Sequence, residues 1–309
     1  RGLGDVYKRQ VQVHWLNLSL RSALLRSLLR ALAFMLPKRW LYRLLPLAYR
    51  YETWPSSPPA LIMSAGGDTL FVLGALAAHF EVPSIFSGTT KRYPTDFIDR
   101  VFTVTPDPAE GNQVLALPPA DVQVSNTFVS RPSGHVPIGC VLVGGNGAGC
   151  VYKAHDWARL SRWMQLHHAE SVRWQLTTSR RTGVLAEQEL QAALSTDNVF
   201  LSRAIWWYEK PERVMSELLA DCDFVVCTMD SLSMLAEAIY TGKPVYVFAP
   251  EQSNLVASDA AAIEHYRRQG FLQSVADSEP VVIAPGGKPR LHEIQVQIYR
   301  GIEPLMAEP

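Results

Sequence analysis

The sequence predicts a parallel α/β fold divided into two domains, and three observations carry that expectation. The apolar run Phe224–Val226 leads through the small polar turn Cys227-Thr-Met-Asp-Ser231 into a helical pattern, and Gly242-Lys-Pro244 then opens a second apolar run, Val245–Phe248. Strand, turn, helix and strand in that order make one βαβ unit. The same alternation fills the first half of the chain and restarts near Ile138, as a parallel sheet covered by helices requires. A length of 309 residues gives each of two domains room for its own core.

A hydrophobic content of 48% with 19% charged residues belongs to a folded globular chain. Zero formal net charge removes any bulk electrostatic case for nucleic acid. Cys140, Cys150, Cys222 and Cys227 lack a C-x-x-C spacing. A reduced, cytoplasmic setting with buried thiols is therefore expected, and a structural metal is not. His135, His155, His167 and His168 are scattered without H-E-x-x-H or other ligand spacing, and there is no G-x-S-x-G elbow, which argues against a structural metal and against a serine hydrolase. No apolar stretch approaches the roughly 18 residues of a membrane span.

Arg1–Gln10, RGLGDVYKRQ, resemble a translated sequencing adapter and are set aside as a fusion scar would be. The first domain is then expected over 11–134. Val11–Leu18 reads as a strand and Leu20–Met35 as a helix stopped by Pro37. At 100° per residue Leu24, Leu25, Leu28, Leu29, Leu32 and Met35 share one face, with Arg26 and Arg30 opposite. Between Val11 and Arg50 stand seven Lys/Arg and no Asp or Glu. Such a basic, leucine-rich segment, residues 20–50, suits peripheral contact with an anionic membrane surface. A helix with one buried face and solvated arginines is the other reading. After the proline-rich stretch Pro55–Pro59, Ala60–Ser64 reads as a strand, Ala65-Gly-Gly-Asp68 as a turn and Thr69–Phe80 as a helix. Pro83–Ser87 is the next strand, Gly88-Thr-Thr-Lys-Arg-Tyr-Pro94 follows it, and Arg100–Thr105 is another strand. Arg131–Pro137 reads as the interdomain linker.

The second domain, 135–285, repeats the pattern. Strands are expected at Ile138–Val143, Arg173–Thr177, Ile205–Tyr208, Phe224–Cys227 and Val245–Phe248. Helices are expected at Asp156–His168, Val184–Leu194 and Ser258–Arg268. The tail, 286–309, should hold a helix over Leu291–Ile302 that packs back on the first domain.

Three loops of the second domain follow strands and carry candidate chemistry, because open α/β sheets bind ligands at the carboxyl ends of their strands. Gly144-Gly-Asn-Gly-Ala-Gly149 would let backbone approach a phosphate. It is neither a P-loop nor a G-x-G-x-x-G turn, and a tight interdomain turn would use glycines as well. Thr177-Thr-Ser-Arg-Arg-Thr-Gly183 sets hydroxyls and two guanidiniums before a helix, which suits a diphosphate. A surface loop with solvated arginines is the plain alternative. In the third loop Asp230 or Ser231 can cap the helix, whose free N–H groups favour an anion. Glu237, two turns in, can accept hydrogen bonds from the vicinal hydroxyls of a ribose. In the first domain Gly66, Gly67 and Asp68 form the corresponding loop. Asp68 is expected first as a helix cap and second as a general base, with Lys91 and Arg92 on the same acceptor side.

The segments SAGGDTL, LVGGNGAG, LTTSRRTG and CTMDSLSMLAEAIYTGKPV occur in this order. Together they resemble the mitochondrial-fission "elongated mitochondria" family over nearly the whole chain from Val11. The resemblance implies a GT-B-like architecture, two Rossmann-like domains facing a cleft, with a nucleotide-sugar donor held by the second. It implies that the bacterial members are glycosyltransferases of outer-membrane oligosaccharide synthesis. They would need no metal and no cofactor beyond the donor, and would act on a lipid-linked or cell-envelope saccharide at the inner face of the membrane. Carried over by position, Gly144, Gly145 and Asn146 would border the donor. Ser179, Arg180 and Thr182 would meet its phosphates, Asp230, Ser231 and Ser233 would line the helix entrance, and Glu237 would take the ribose. Relatives begin with a strand and a Gly-His-x-Asn-Gln loop that would face the transferred sugar. The adapter-like residues stand in its place, so the catalytic residue is unassigned. Plant members are associated with recruiting a dynamin-like GTPase to the mitochondrial surface, which implies a non-catalytic scaffold as the alternative. A nucleotide-sugar epimerase shares the fold.

Overall fold

Short apolar runs become parallel strands, and the longer patterns between them helices, in a computed structural model that describes residues 13–51, 57–119, 134–168, 172–275 and 289–306. The adapter-like residues 1–10 lie outside the described residues, as do 131–133 of the expected linker. The chain divides into two units, Arg1–Gln113 with Arg300–Pro309, and Val114–Tyr299.

In the first unit β1 (Leu18–Leu20) pairs antiparallel with β2 (Tyr49–Tyr51). Between them run α1 (Leu25–Met35), α2 (Lys38–Leu41) and α3 (Leu45–Ala48). The helix expected from Leu20 therefore starts later. Leu20 is still paired with Tyr49, and the Arg21 amide donates to Ala48 O at 2.9 Å, so this stretch is held extended. Next come β3 (Ile62–Ala65), α4 (Leu70–Phe80), β4 (Ser84–Ser87), β5 (Arg100–Thr103) and β6 (Asn112–Val114). The four strands form one sheet in that order, with β3–β4 and β4–β5 parallel. Helix α4 is apolar nearly all round and buries Leu70 through Ala77 without a break, the signature of a core helix. Gly74 lets it close on Phe97, whose ring would lie 2.4 Å from an added Cβ. Leu29 and Ala33 of α1, with Leu41 and Leu45, join α4 in one core.

The second unit runs β7 (Ile138–Leu142), α5 (Ala154–His168), β8 (Arg173–Thr177), α6 (Val184–Thr196), β9 (Leu201–Ile205), α7 (Met215–Asp221), β10 (Phe224–Thr228), α8 (Leu232–Tyr240), β11 (Val245–Phe248), α9 (Ala257–Arg268), β12 (Gln273–Ser274) and α10 (Pro289–Met306). The last residues of α10 belong to the first unit, where Gly301 closes on Phe102 and Gln113. The strand expected at Ile205–Tyr208 instead ends at Ile205, because the Trp206 carbonyl accepts from the amides of Glu209 and Lys210 and turns the chain. Helix α7 is only 7 residues long and lies between two apolar runs, too short for its periodicity to mark it in the sequence.

All six strands are parallel, in the order β12-β11-β10-β7-β8-β9. From β7 the chain steps outward through β8 to β9. It then returns past β7 to β10 and steps outward the other way to β12. The loops after β7 and β10 diverge from adjacent strand ends, which makes their carboxyl ends the switch point of the sheet. Strand β10 is buried throughout, as a central parallel strand covered on both faces must be.

Gly139 of β7 sits beneath the fully buried rings of Trp174 and Phe224, which would lie 2.4 and 2.6 Å from an added Cβ. Gly139→Ala should therefore overpack the core and cost about 1–3 kcal/mol, read as a lower urea midpoint at unchanged slope. An unchanged midpoint would show that these rings can yield.

Candidate functional site

Three strand ends converge at the switch point of the second unit. The turn after β7 must pass beside the loop after β10, and only glycine permits it. A Cβ on Gly144 would lie 2.2 Å from the nearer carboxylate oxygen of Asp230, and one on Gly145 would lie 2.5 Å from the Arg181 carbonyl. Gly145 also has φ of +121°, a region open to glycine at little cost. The Gly144 amide donates to Thr228 Oγ1 at 2.7 Å, and the Gly144 carbonyl accepts from the Ser179 and Thr182 hydroxyls at 2.6 and 3.0 Å. The loops after β7, β8 and β10 are thereby bolted into one surface.

The predicted residues divide within that surface. Gly144, Gly145, Ser179, Thr182, Asp230 and Ser231 come together, but the hydroxyls of Ser179 and Thr182 point into the loops. Asn146 accepts from the Tyr152 amide at 2.7 Å, so its side-chain oxygen closes the glycine turn. Ser231 is the N-cap of α8, accepting from the Met234 amide at 3.4 Å. Asp230, the other candidate cap, is not. Ser233 is exposed on the first turn of α8, and Glu237 lies half-buried on the same helix. Arg180 is exposed, and its carbonyl accepts from the Tyr208 hydroxyl at 3.1 Å. The arginine that enters the convergence is its neighbour Arg181.

Arg181 Nη2 stands 3.2 Å from Asp230 Oδ2, joining a half-exposed guanidinium to a carboxylate of 0% side-chain exposure. Neither Asp230 oxygen completes a hydrogen bond of good geometry. Burial raises the Asp230 pKa above the ordinary aspartate range. Thr228, the Arg181 charge and the Gly145 amide oppose that shift without cancelling it. A buried carboxylate is costly unless a charged or donor group stands beside it, and Arg181 supplies the charge here.

Two residues that sequence reasoning missed hold the floor. The Tyr152 hydroxyl accepts from the Met229 amide at 2.8 Å and donates to Phe248 O at 2.9 Å, joining the loops after β10 and β11. Buried Glu187 of α6 accepts from Thr178 Oγ1 at 2.5 Å, and that hydroxyl accepts from the Trp207 amide at 2.8 Å. Neither stands in a recognisable motif, so only the tertiary contacts reveal them.

In the first unit the loop after β3 carries Gly66, Gly67 and Asp68. Asp68 does not cap α4. Its carboxylate is bound at both oxygens by Arg26, at 2.7 and 3.0 Å, because α1 passes alongside, and Thr69 takes the cap position without a side-chain bond. Lys91 lies across Gly67, with its ammonium 2.1 Å from where a Cβ would stand. Arg30 donates to the Lys91 carbonyl at 3.1 Å. Lys91 and Arg92 both have positive φ, 51° and 62°, and Arg92 is exposed. Among the described residues no three His, Cys, Asp or Glu side chains gather as a metal site, and no helix is long and apolar enough to cross a membrane.

Two parallel α/β units, the second with its loops gathered at a switch point, define a Rossmann-like α/β protein. The model of the family described as Mitochondrial fission ELM1 matches residues 6–280, and the chain belongs to that family. Among solved structures, Acinetobacter baumannii MurG is 14% identical with a TM-score of 0.45, covering 80% of this chain and 67% of its own. A UDP co-structure of S. aureus MnaA is 13% identical with a TM-score of 0.45, covering 91% and 74%. E. coli ADP-heptose LPS heptosyltransferase II is 13% identical with a TM-score of 0.42, covering 90% and 80%. Comparison with curated proteins finds no match.

The Arg181–Asp230 pair makes a prediction with a definite sign. Because the folded pKa of Asp230 is raised, the folded state holds that proton more tightly than the unfolded chain. Its contribution to stability is lost as pH rises from the ordinary aspartate value through the raised one. Asp230→Asn abolishes this titration, so its stability relative to wild type should improve from acid to neutral pH in urea-unfolding curves. Arg181→Ala should destabilise the neutral-pH protein by about 1–3 kcal/mol, and Asp230→Asn in the same chain should recover most of the loss. Additive effects would deny the coupling.

Proposed function

We propose that the second unit binds a nucleoside diphosphate sugar and that the protein transfers the sugar to a lipid-linked or cell-envelope saccharide, in the cytoplasm at the inner face of the membrane. One observation carries the reading: the start of α8, the Gly144–Gly145 turn and Arg181 meet at the switch point around a buried carboxylate. Free amides at a helix start favour an anion. Breaking the bond from sugar to diphosphate puts negative charge on the departing phosphate. Helix amides and guanidinium groups stabilise that charge without a metal. Arg181 has five N–H donors, enough to keep Asp230 on one edge and bind phosphate with the other. Arg180 adds a second cation. Glu237 accepts from the ribose hydroxyls, and Ser231 and Ser233 border the phosphates.

The acceptor reading rests on the first unit, where Gly66, Gly67, Lys91 and Arg92 make a basic strand-end surface suited to a phosphate-bearing acceptor. Asp68 can act as general base only if its pair with Arg26 opens, so the base stays unassigned. A second reading is favoured by the family description itself, mitochondrial fission: a scaffold that recruits a dynamin-like GTPase without turnover.

Calorimetric titration with a panel of nucleoside diphosphate sugars tests the choice. Wild type should bind at least one of them. Glu237→Ala should weaken that binding roughly tenfold, the equivalent of about 1.4 kcal/mol. No binding across the panel, together with GTPase capture that Glu237→Ala leaves intact, would favour the scaffold.

A further inference from the structure

The sequence places six apolar residues on one face of α1, but the structure divides them. Leu29 turns inward, beside Ala33, to the core shared with α4, and Leu25 packs partly against it. Leu24, Leu28 and Met35 turn outward, 86, 53 and 76% exposed. With exposed Ala31 they recur at i, i+4, i+7 and i+11, so they lie within about 60° of one another around the helix. Trp15 is 85% exposed, and Trp40 of α2 lies open at the surface with the Arg43 guanidinium 4.6 Å from its ring centroid. Isolated surface leucines need no explanation, but a stripe of them on one helix face, in a segment that also exposes two indoles, does.

The segment that carries this stripe has cations of its own and no Asp or Glu. Of the seven cations between residues 11 and 50, Arg26 pairs with Asp68 and Lys38 with Asp96. Arg39, Arg43 and Arg50 form no ion pair among the described residues. Apolar stripe, interfacial tryptophan and unneutralised arginine are the three ingredients by which a helix lies in the headgroup layer of an anionic bilayer. A second copy of the chain fits less well, because a twofold contact across this face would set arginines against arginines.

We infer that α1, with Trp15 and Trp40, is a docking surface for an anionic lipid bilayer. The same helix holds the strand-end loops of its unit: Arg26 grips Asp68, and Arg30 grips the Lys91 carbonyl. A helix about 10 Å across thus carries the stripe on one side and these loops on the other, near headgroup depth. The inference deepens the lipid-linked acceptor reading proposed above but stands on different residues. Loss of vesicle binding with donor binding intact would sink the docking surface alone, and the reverse would sink the donor site alone.

The test is co-sedimentation of the whole protein with phosphatidylcholine vesicles, with and without phosphatidylglycerol, at low and high salt. Wild type should bind the phosphatidylglycerol vesicles and release in salt. Leu24→Glu with Leu28→Glu, both outward-facing, should reduce binding at least tenfold at unchanged circular dichroism, and Met35→Glu serves as a second, milder lesion. Arg39→Glu with Arg43→Glu should weaken binding and its salt dependence together. Absence of binding by wild type, or binding indifferent to these substitutions, would overturn the inference. So would concentration-dependent dimerisation abolished by the leucine changes, which would assign the stripe to a second copy.

Discussion

The second unit depends on one close approach. Gly144 has no side chain, and that absence lets the turn after β7 lie against the Asp230 carboxylate after β10. Everything else at the switch point follows from it. The Gly144 amide reaches Thr228, its carbonyl collects the hydroxyls of the loop after β8, and Arg181 is drawn onto the enclosed carboxylate. A side chain at Gly144 would push two strand ends apart and separate three loops at once. The glycine-rich turn is thus a spacer that sets the distance between neighbouring strand ends, before it is anything to a phosphate.

Asp230 gives this arrangement its asymmetry. A negative group at a helix start is ordinarily stabilised by the amides around it, yet here burial outweighs them and the carboxyl is driven toward its protonated form. Arg181 supplies the compensating charge from the solvent side.

Much of this was legible in the chain. The βαβ pattern around Cys227–Pro244 follows from apolar periodicity and turn chemistry, and β10, α8 and β11 lie where those signals put them. Periodicity could not decide which side of α1 faces the core, because Leu24 and Leu29 are chemically alike and only docking on α4 distinguishes them. Composition could not choose between Arg180 and Arg181, adjacent and identical, since the choice rests on how the Gly145 turn packs on the Arg181 backbone. Asp68 looked like a cap because aspartate before a helix usually is one. The cation that claims it, Arg26, is distant in sequence and unreadable from the loop itself. Tyr152 escaped for the same reason, since its partners lie at the ends of β10 and β11, while Glu187 and Thr178 are near neighbours that form no recognisable motif.

The central claim is that the loops after β7, β8 and β10 act as one anion-binding surface. Amide hydrogen exchange on the intact protein, with and without a saturating nucleoside diphosphate, tests it most directly. The account requires slowed exchange at 143–147, 179–183 and 231–234 together, with β9 and β12 unaffected. Protection confined to one of those loops, or appearing only in the first unit, would contradict it.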